Sequence, residues 1–200
     1  MTNFIDQYIE ASGAKPEIRE DFYSLVSEIP SISEDLYEAA IEVKEYLYNN
    51  GFSYDVESFT IDDVLKNKSG NCLGLPLLIG SILGEKGFEP RYQLAVNPRE
   101  ITFQQEKKHF ERLNRNLPYG TPVLEKENEE YLAYRFAPLE HLVLDINGKL
   151  VETTSEEHDF PECESLRSIS FEEALSCVYR DRNANETSKM RGEFDNRKKV

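Results

Sequence analysis

Apolar residues recur at helical spacing through the first third of the chain. Phe4 to Ala11 and Glu17 to Ile29 read as short helices, the second opening at Pro16 and closing before Pro30. Ser33 stands ahead of Glu34 and Asp35 in the form of an N-cap with first-turn acids. Leu36, Ala39, Ala40, Val43 and Leu47 then repeat with helical period until Asn49-Asn50-Gly51 stops the pattern. A helical turn from Ile61 to Leu65 leads through Lys66 to Gly70 into the most apolar segment of the chain. There Leu73, Leu75, Leu77, Leu78, Ile79, Ile82 and Leu83 leave almost no polar face before Lys86-Gly87. The pattern predicts a central helix buried on nearly all sides. Gly74, Gly80 and Gly84 would admit close neighbours, and Pro76 is tolerable within the first turn.

From Arg91 the period shortens. Arg91 to Val96, Tyr131 to Phe136, Leu142 to Ile146 and Leu150 to Thr154 read as strands, and residues 101 to 116 as a solvated helix or an insertion. Asn147-Gly148 between two apolar runs is a hairpin signal, because both turn positions need positive φ. A two-residue turn there fixes the register: Ile146 faces Lys149, Val143 faces Glu152 and His141 faces Thr154. His141, Val143 and Glu152 then share a face, with His141 and Glu152 diagonal neighbours about 7 to 8 Å apart along the backbone. A long carboxylate spans that gap to an imidazole.

Helices first and an antiparallel sheet after predict an α+β fold, with one domain over residues 1–179. Residues 1–35 form its N-terminal helical portion, 97–138 an insertion and 180–200 a charged tail. At 200 residues the chain is long enough for one well-buried core. Hydrophobic residues at 39% and charged residues at 30% exclude collagen-like and wholly disordered readings. Net charge is -15, and residues 180–200 hold seven Lys/Arg against four Asp/Glu, leaving the remainder still more acidic. Such a surface repels nucleic acid, and the one basic cluster, Arg197-Lys198-Lys199, lies in the tail. The apolar segment at Leu73 to Leu83 is too short for a bilayer span. The start, Met1-Thr2-Asn3-Phe4, shows no basic region followed by an apolar run, so the expected location is cytoplasmic.

Three cysteines, Cys72, Cys163 and Cys177, make no disulfide framework and no Cys-x-x-Cys pair. Cys72 differs from the others in opening the apolar helix, with Asn71 ahead of it as N-cap. A thiol in a first turn lies at the positive end of the helix dipole beside unpaired N–H groups, which favours the thiolate. The plain alternative is a small residue packed under a core helix. His141 adds a base able to take the thiol proton, and Glu152 on the same hairpin face adds a group to fix the ring. Asp145 is a rival third member nearer the turn. His158, Cys163 and Cys177 match no zinc spacing. Cys177 falls at a core position of the helical stretch Phe171 to Val178, and His109 lies among charges on a solvated helix. There is no calcium loop and no Gly-rich phosphate loop.

In this order the residues resemble the transglutaminase-like superfamily, a circularly related cousin of the papain-like thiol proteases. Leu36 to Asp55, ending in Gly51-Phe52-Ser53-Tyr54-Asp55, resembles that family's preceding helix. Thr60-Ile61-Asp62-Asp63-Val64-Leu65 and Lys68-Ser69-Gly70-Asn71-Cys72 resemble its approach to the nucleophile. Leu77-Leu78 through Gly87-Phe88-Glu89-Pro90-Arg91-Tyr92 resembles its central helix and next strand, and His141 to Glu152-Thr153-Thr154 its His and acid strands. The likeness covers roughly residues 36–96 and 139–154 and is strongest, around Val64-Leu65 and Gly70, to the bacterial branch often found with tetratricopeptide repeats. The family's third member is usually Asp, so Glu152 is a departure, as are Gly74 and Pro76. The resemblance implies a thiol hydrolase or acyltransferase acting on an amide or ester bond of a peptide or protein through Cys72, His141 and Glu152, without cofactor or metal. Oxyanion stabilisation would fall to the Cys72 N–H and one further donor. The alternative it leaves is a catalytically silent domain that binds a protein partner.

Overall fold

Three helices open the chain: α1 (Phe4–Ser12), α2 (Ile18–Glu28) and α3 (Leu36–Asn49). The computed structural model describes residues 4–55, 58–96, 126–127, 130–131, 140–154, 165–180 and 182–183. The stretch 101–116, residues 132–136 of an expected strand and the tail beyond residue 183 therefore lie outside the described residues. α3 begins as expected but is capped by Asp35, not Ser33. The Asp35 carboxylate accepts from the N–H of Tyr37 at 2.9 Å and of Glu38 at 3.1 Å. Ser33 instead accepts from the Asp35 N–H at 3.1 Å. A charged acceptor satisfies two orphan donors at the helix start better than a hydroxyl two residues too early.

After α3 the chain forms β1 (Ser53–Tyr54), α4 (Ile61–Asn67) and β2 (Ser69–Gly70). Thr60 caps α4, and Lys68 closes it in the left-handed conformation at φ 48°. That reversal lets β2 pair in parallel with β1, Ser53 opposite Ser69 and Tyr54 opposite Gly70. The chain thereby reaches α5 (Gly74–Glu85) from a fixed direction.

Every residue of α5 from Gly74 to Leu83 is buried. α1, α3 and α4 pack around it, and it lies on strand β6 of the main sheet. The glycines work as their positions suggest. A Cβ at Gly74 would come within 2.8 Å of Val64 and 2.9 Å of the Ser58 carbonyl, one at Gly80 would strike the Tyr92 hydroxyl and one at Gly84 the Phe4 ring.

The main sheet is antiparallel, ordered β7-β6-β3-β8, from β3 (Arg91–Val96), β6 (Glu140–Ile146), β7 (Lys149–Val151) and β8 (Ser165–Ile169). A separate ladder joins β4 (Lys126–Glu127) to β5 (Glu130–Tyr131). The architecture is α+β. The hairpin keeps the expected register where it pairs, with Asn147 and Gly148 at φ 54° and 86°, Ile146 facing Lys149 and Leu144 facing Val151, but β7 stops at Val151, so the expected strand over residues 152–154 and the pairs Val143–Glu152 and His141–Thr154 do not form. Asp145 secures the turn by accepting from the Gly148 N–H at 2.8 Å. Helix α6, residues 171–180, returns to the N-terminal side, where Phe171 meets Phe4 edge-on at 4.8 Å. Among the described residues no helix is long and apolar enough to cross a membrane.

Candidate active site

Cys72 lies in a turn two residues ahead of α5 rather than inside its first turn. The displacement follows from Asn71. Its Oδ1 accepts from the N–H of Leu73 at 2.8 Å and of Gly74 at 3.0 Å, while its carbonyl accepts from the Leu75 N–H at 3.1 Å. Pro76 has no N–H to offer. The expectation of unpaired donors beside the thiol is therefore corrected: Asn71 takes those of the first turn, as a buried cap must. Charge at the sulfur has to be stabilised by something other than these groups, and oxyanion donors from residues 73 to 75 are likewise engaged. Asn71 is itself held by its N–H, which donates to the Ser58 carbonyl at 2.7 Å.

The other two residues meet at the sheet edge. His141 is the second residue of β6, opposite Ala95 of β3, and Glu152 follows the last residue of β7. Nε2 of His141 and Oε2 of Glu152 are 2.8 Å apart, and both residues are buried, at 8% and 5% exposure. An ionised carboxylate only accepts, so Nε2 donates to it. This leaves Nδ1 as the ring nitrogen for Cys72, whose side chain is hydrogen-bonded with the imidazole. Cys72 is only half-buried. The cysteine is thus more open to solvent than the buried His141 and Glu152.

Electrostatics follow from that packing. Burial alone would pull the His141 pKa down. The Glu152 carboxylate, the hydrogen bonds with Cys72 and Glu152 and the charge of Cys72 outweigh it and raise the imidazole to about 10. Burial pushes the Glu152 carboxyl up, but the imidazolium and the hydrogen bonds of His141 and Thr154 bring it down to about 2. The pair is ionic at neutral pH. Its second carboxylate oxygen, Oε1, accepts from the backbone N–H and the hydroxyl of Thr154, each at 2.6 Å.

Two supporting residues were not singled out by the sequence. Thr154 follows the acid at strand period, a spacing that by itself assigns it no role. Tyr48 gave no signal: its hydroxyl donates to the Thr153 carbonyl at 3.0 Å across 105 residues of chain. The rival Asp145 is turned elsewhere, accepting from Gln93 Nε2 at 2.8 Å as well as from the turn. Cys177 is at the margin of the core rather than within it, its Sγ 3.7 Å from the Glu173 carbonyl. His109, His158 and Cys163 lie outside the described residues. Among the described residues no cluster of three His, Cys, Asp or Glu side chains could hold a metal ion. Comparison with family models, curated proteins and solved structures finds no match for this chain.

Proposed function

We propose that the chain is a transglutaminase-like thiol hydrolase or acyltransferase acting on an amide or ester bond of a peptide or protein. The observation that carries this reading is the buried His141–Glu152 pair, 2.8 Å apart, with the half-exposed Cys72 hydrogen-bonded to the same imidazole. The sulfur attacks the carbonyl carbon and forms a C–S bond, with the carbonyl electron pair moving to oxygen. Collapse of the tetrahedral intermediate breaks the bond to the leaving amine or alcohol, which takes a proton from His141. A water or amine then attacks the thioester, giving its proton to His141, and the thiolate leaves. Glu152 keeps the ring oriented and stabilises the imidazolium throughout.

This reading is favoured over a silent partner-binding domain because the departures have local reasons. Glu152 reaches the imidazole, Gly74 makes room for Val64 and Ser58, and Pro76 occupies a turn whose donors Asn71 serves. Peptide or protein substrate, no cofactor and no metal belong to the same reading. So does a cytoplasmic location, since a thiol nucleophile works in a reducing compartment.

The test is a burst experiment with p-nitrophenyl acetate. One equivalent of nitrophenol per chain should appear rapidly, with acetyl mass on the peptide bearing Cys72, and Cys72→Ala should abolish both. A chain that releases nitrophenol no faster than Cys72→Ala contradicts the reading.

A further inference from the structure

The hairpin ladder ends at Leu144 opposite Val151, so Glu152, Thr153 and Thr154 run on without strand pairing. Thr154 fastens the Glu152 carboxylate, but a bond between residues two apart moves with its own segment and sets no position relative to the rest of the fold. The tie to a distant element comes from α3. Tyr48, in its last turn, donates its hydroxyl to the Thr153 carbonyl, which belongs to the residue immediately after the acid. At the other end of α3, Tyr37 lies under the Lys149 ammonium, 4.5 Å from the ring centroid, so one helix lies along the returning strand from turn to acid. α3 is in turn packed on α5, the helix that follows Cys72.

We propose that Tyr48 is a positioning residue for the His141–Glu152 pair, acting through the Thr153 peptide to hold the acid behind the imidazole. Glutamate has one more torsion than the aspartate usual in the family that the site resembles. Its carboxylate is aimed only if the backbone carrying it is held, and the Tyr48 hydroxyl holds that backbone from a rigid helix. The inference rests on the proposed reading for its bearing on catalysis, while its geometric content concerns His141 and Glu152 alone. Among the described residues, Glu152 and Cys72 are titratable side chains that bear on the ring.

Tyr48→Phe keeps the ring and removes the hydroxyl. In histidine-labelled protein followed by NMR, the His141 titration midpoint should fall by about half a unit to one unit, the share of one net hydrogen bond. Tyr37→Phe, on the same helix, should leave it in place. A folded Tyr48→Phe chain with an unshifted midpoint overturns the proposal. If that variant does not fold, unaltered protein labelled at tyrosine Cζ decides: the Tyr48 signal should move together with the His141 titration, and a Tyr48 signal flat through it overturns the proposal. Failure of the hydrolase reading shows separately, as absence of the nitrophenol burst in unaltered protein whose His141 midpoint still responds to Tyr48→Phe.

Discussion

At the scale of single residues, the turn sets the ladder as far as Leu144 opposite Val151, and the carboxylate at 152 meets the imidazole at 141 just beyond its end. Asn147 and Gly148 both accept positive φ, which fixes which residues face each other, and a diagonal gap of that size suits a Glu side chain. That much was legible from the sequence. The Thr154 clamp was not, since a threonine after an acid has many uses, and Asn71 was legible as a cap but not as the acceptor that takes the first-turn donors beside Cys72. The ion pair makes stability depend on pH in a definite direction. Glu152 is lowered from 4.5 to about 2, so its contribution is present above 4.5 and is lost as pH falls toward 2. His141 is raised from 6.5 to about 10, so its contribution is complete below 6.5 and is lost as pH rises toward 10. The stability difference between the native chain and Glu152→Gln, measured by urea unfolding, should therefore be largest between pH 4.5 and 6.5 and shrink on both sides. A difference independent of pH would show that the pair is not ionic.

Elements are legible where their period is strong. The apolar run from Leu73 to Leu83 announced a buried helix, and α5 is buried from Gly74 to Leu83. The edge strand β8 was missed because Ser165-Leu166-Arg167-Ser168-Ile169 offers two apolar residues, of which Leu166 is 47% exposed. β1 and β2 were missed because two-residue parallel pairs carry no period at all; they depend on the Lys68 reversal. Packing of α5 against β3 also carries a cost. The Tyr92 hydroxyl is buried over Gly80 with no hydrogen-bond partner among the described residues. Tyr92→Phe should be neutral or stabilising by about 1 kcal/mol, because it removes a polar group that gains nothing from burial. Gly80→Ala should cost about 1 to 3 kcal/mol through overpacking. In the double variant the cost should fall below the sum of the two single changes, since the hydroxyl the new methyl strikes is gone. Urea unfolding midpoints check all three, and strict additivity would place the clash elsewhere.

Across the whole molecule, the candidate site is assembled from parts that sequence alone holds far apart. α5 positions the chain that carries Cys72, β3 holds His141 in register through Ala95, and α3 ties down the segment that follows Glu152. The ends of the described fold are joined too: Phe171 packs on Phe4, and Arg182 donates to the Ala11 carbonyl at 3.1 Å. These long-range ties have no local pattern, which is why the fold class could be read and the bracing could not. The consequence is that the reactivity of Cys72 must be a property of the folded chain and of His141. The direct measurement is the rate of iodoacetamide alkylation at pH 6, followed by mass spectrometry on the peptide bearing Cys72. An unfolded cysteine holds well under 1% thiolate at that pH. The native chain should react at least about tenfold faster than the same chain in urea, given a paired imidazolium, and His141→Ala should fall to the unfolded rate. A native rate at or below that of the unfolded chain, or one untouched by His141→Ala, would contradict the assembly of Cys72, His141 and Glu152 into one nucleophilic unit.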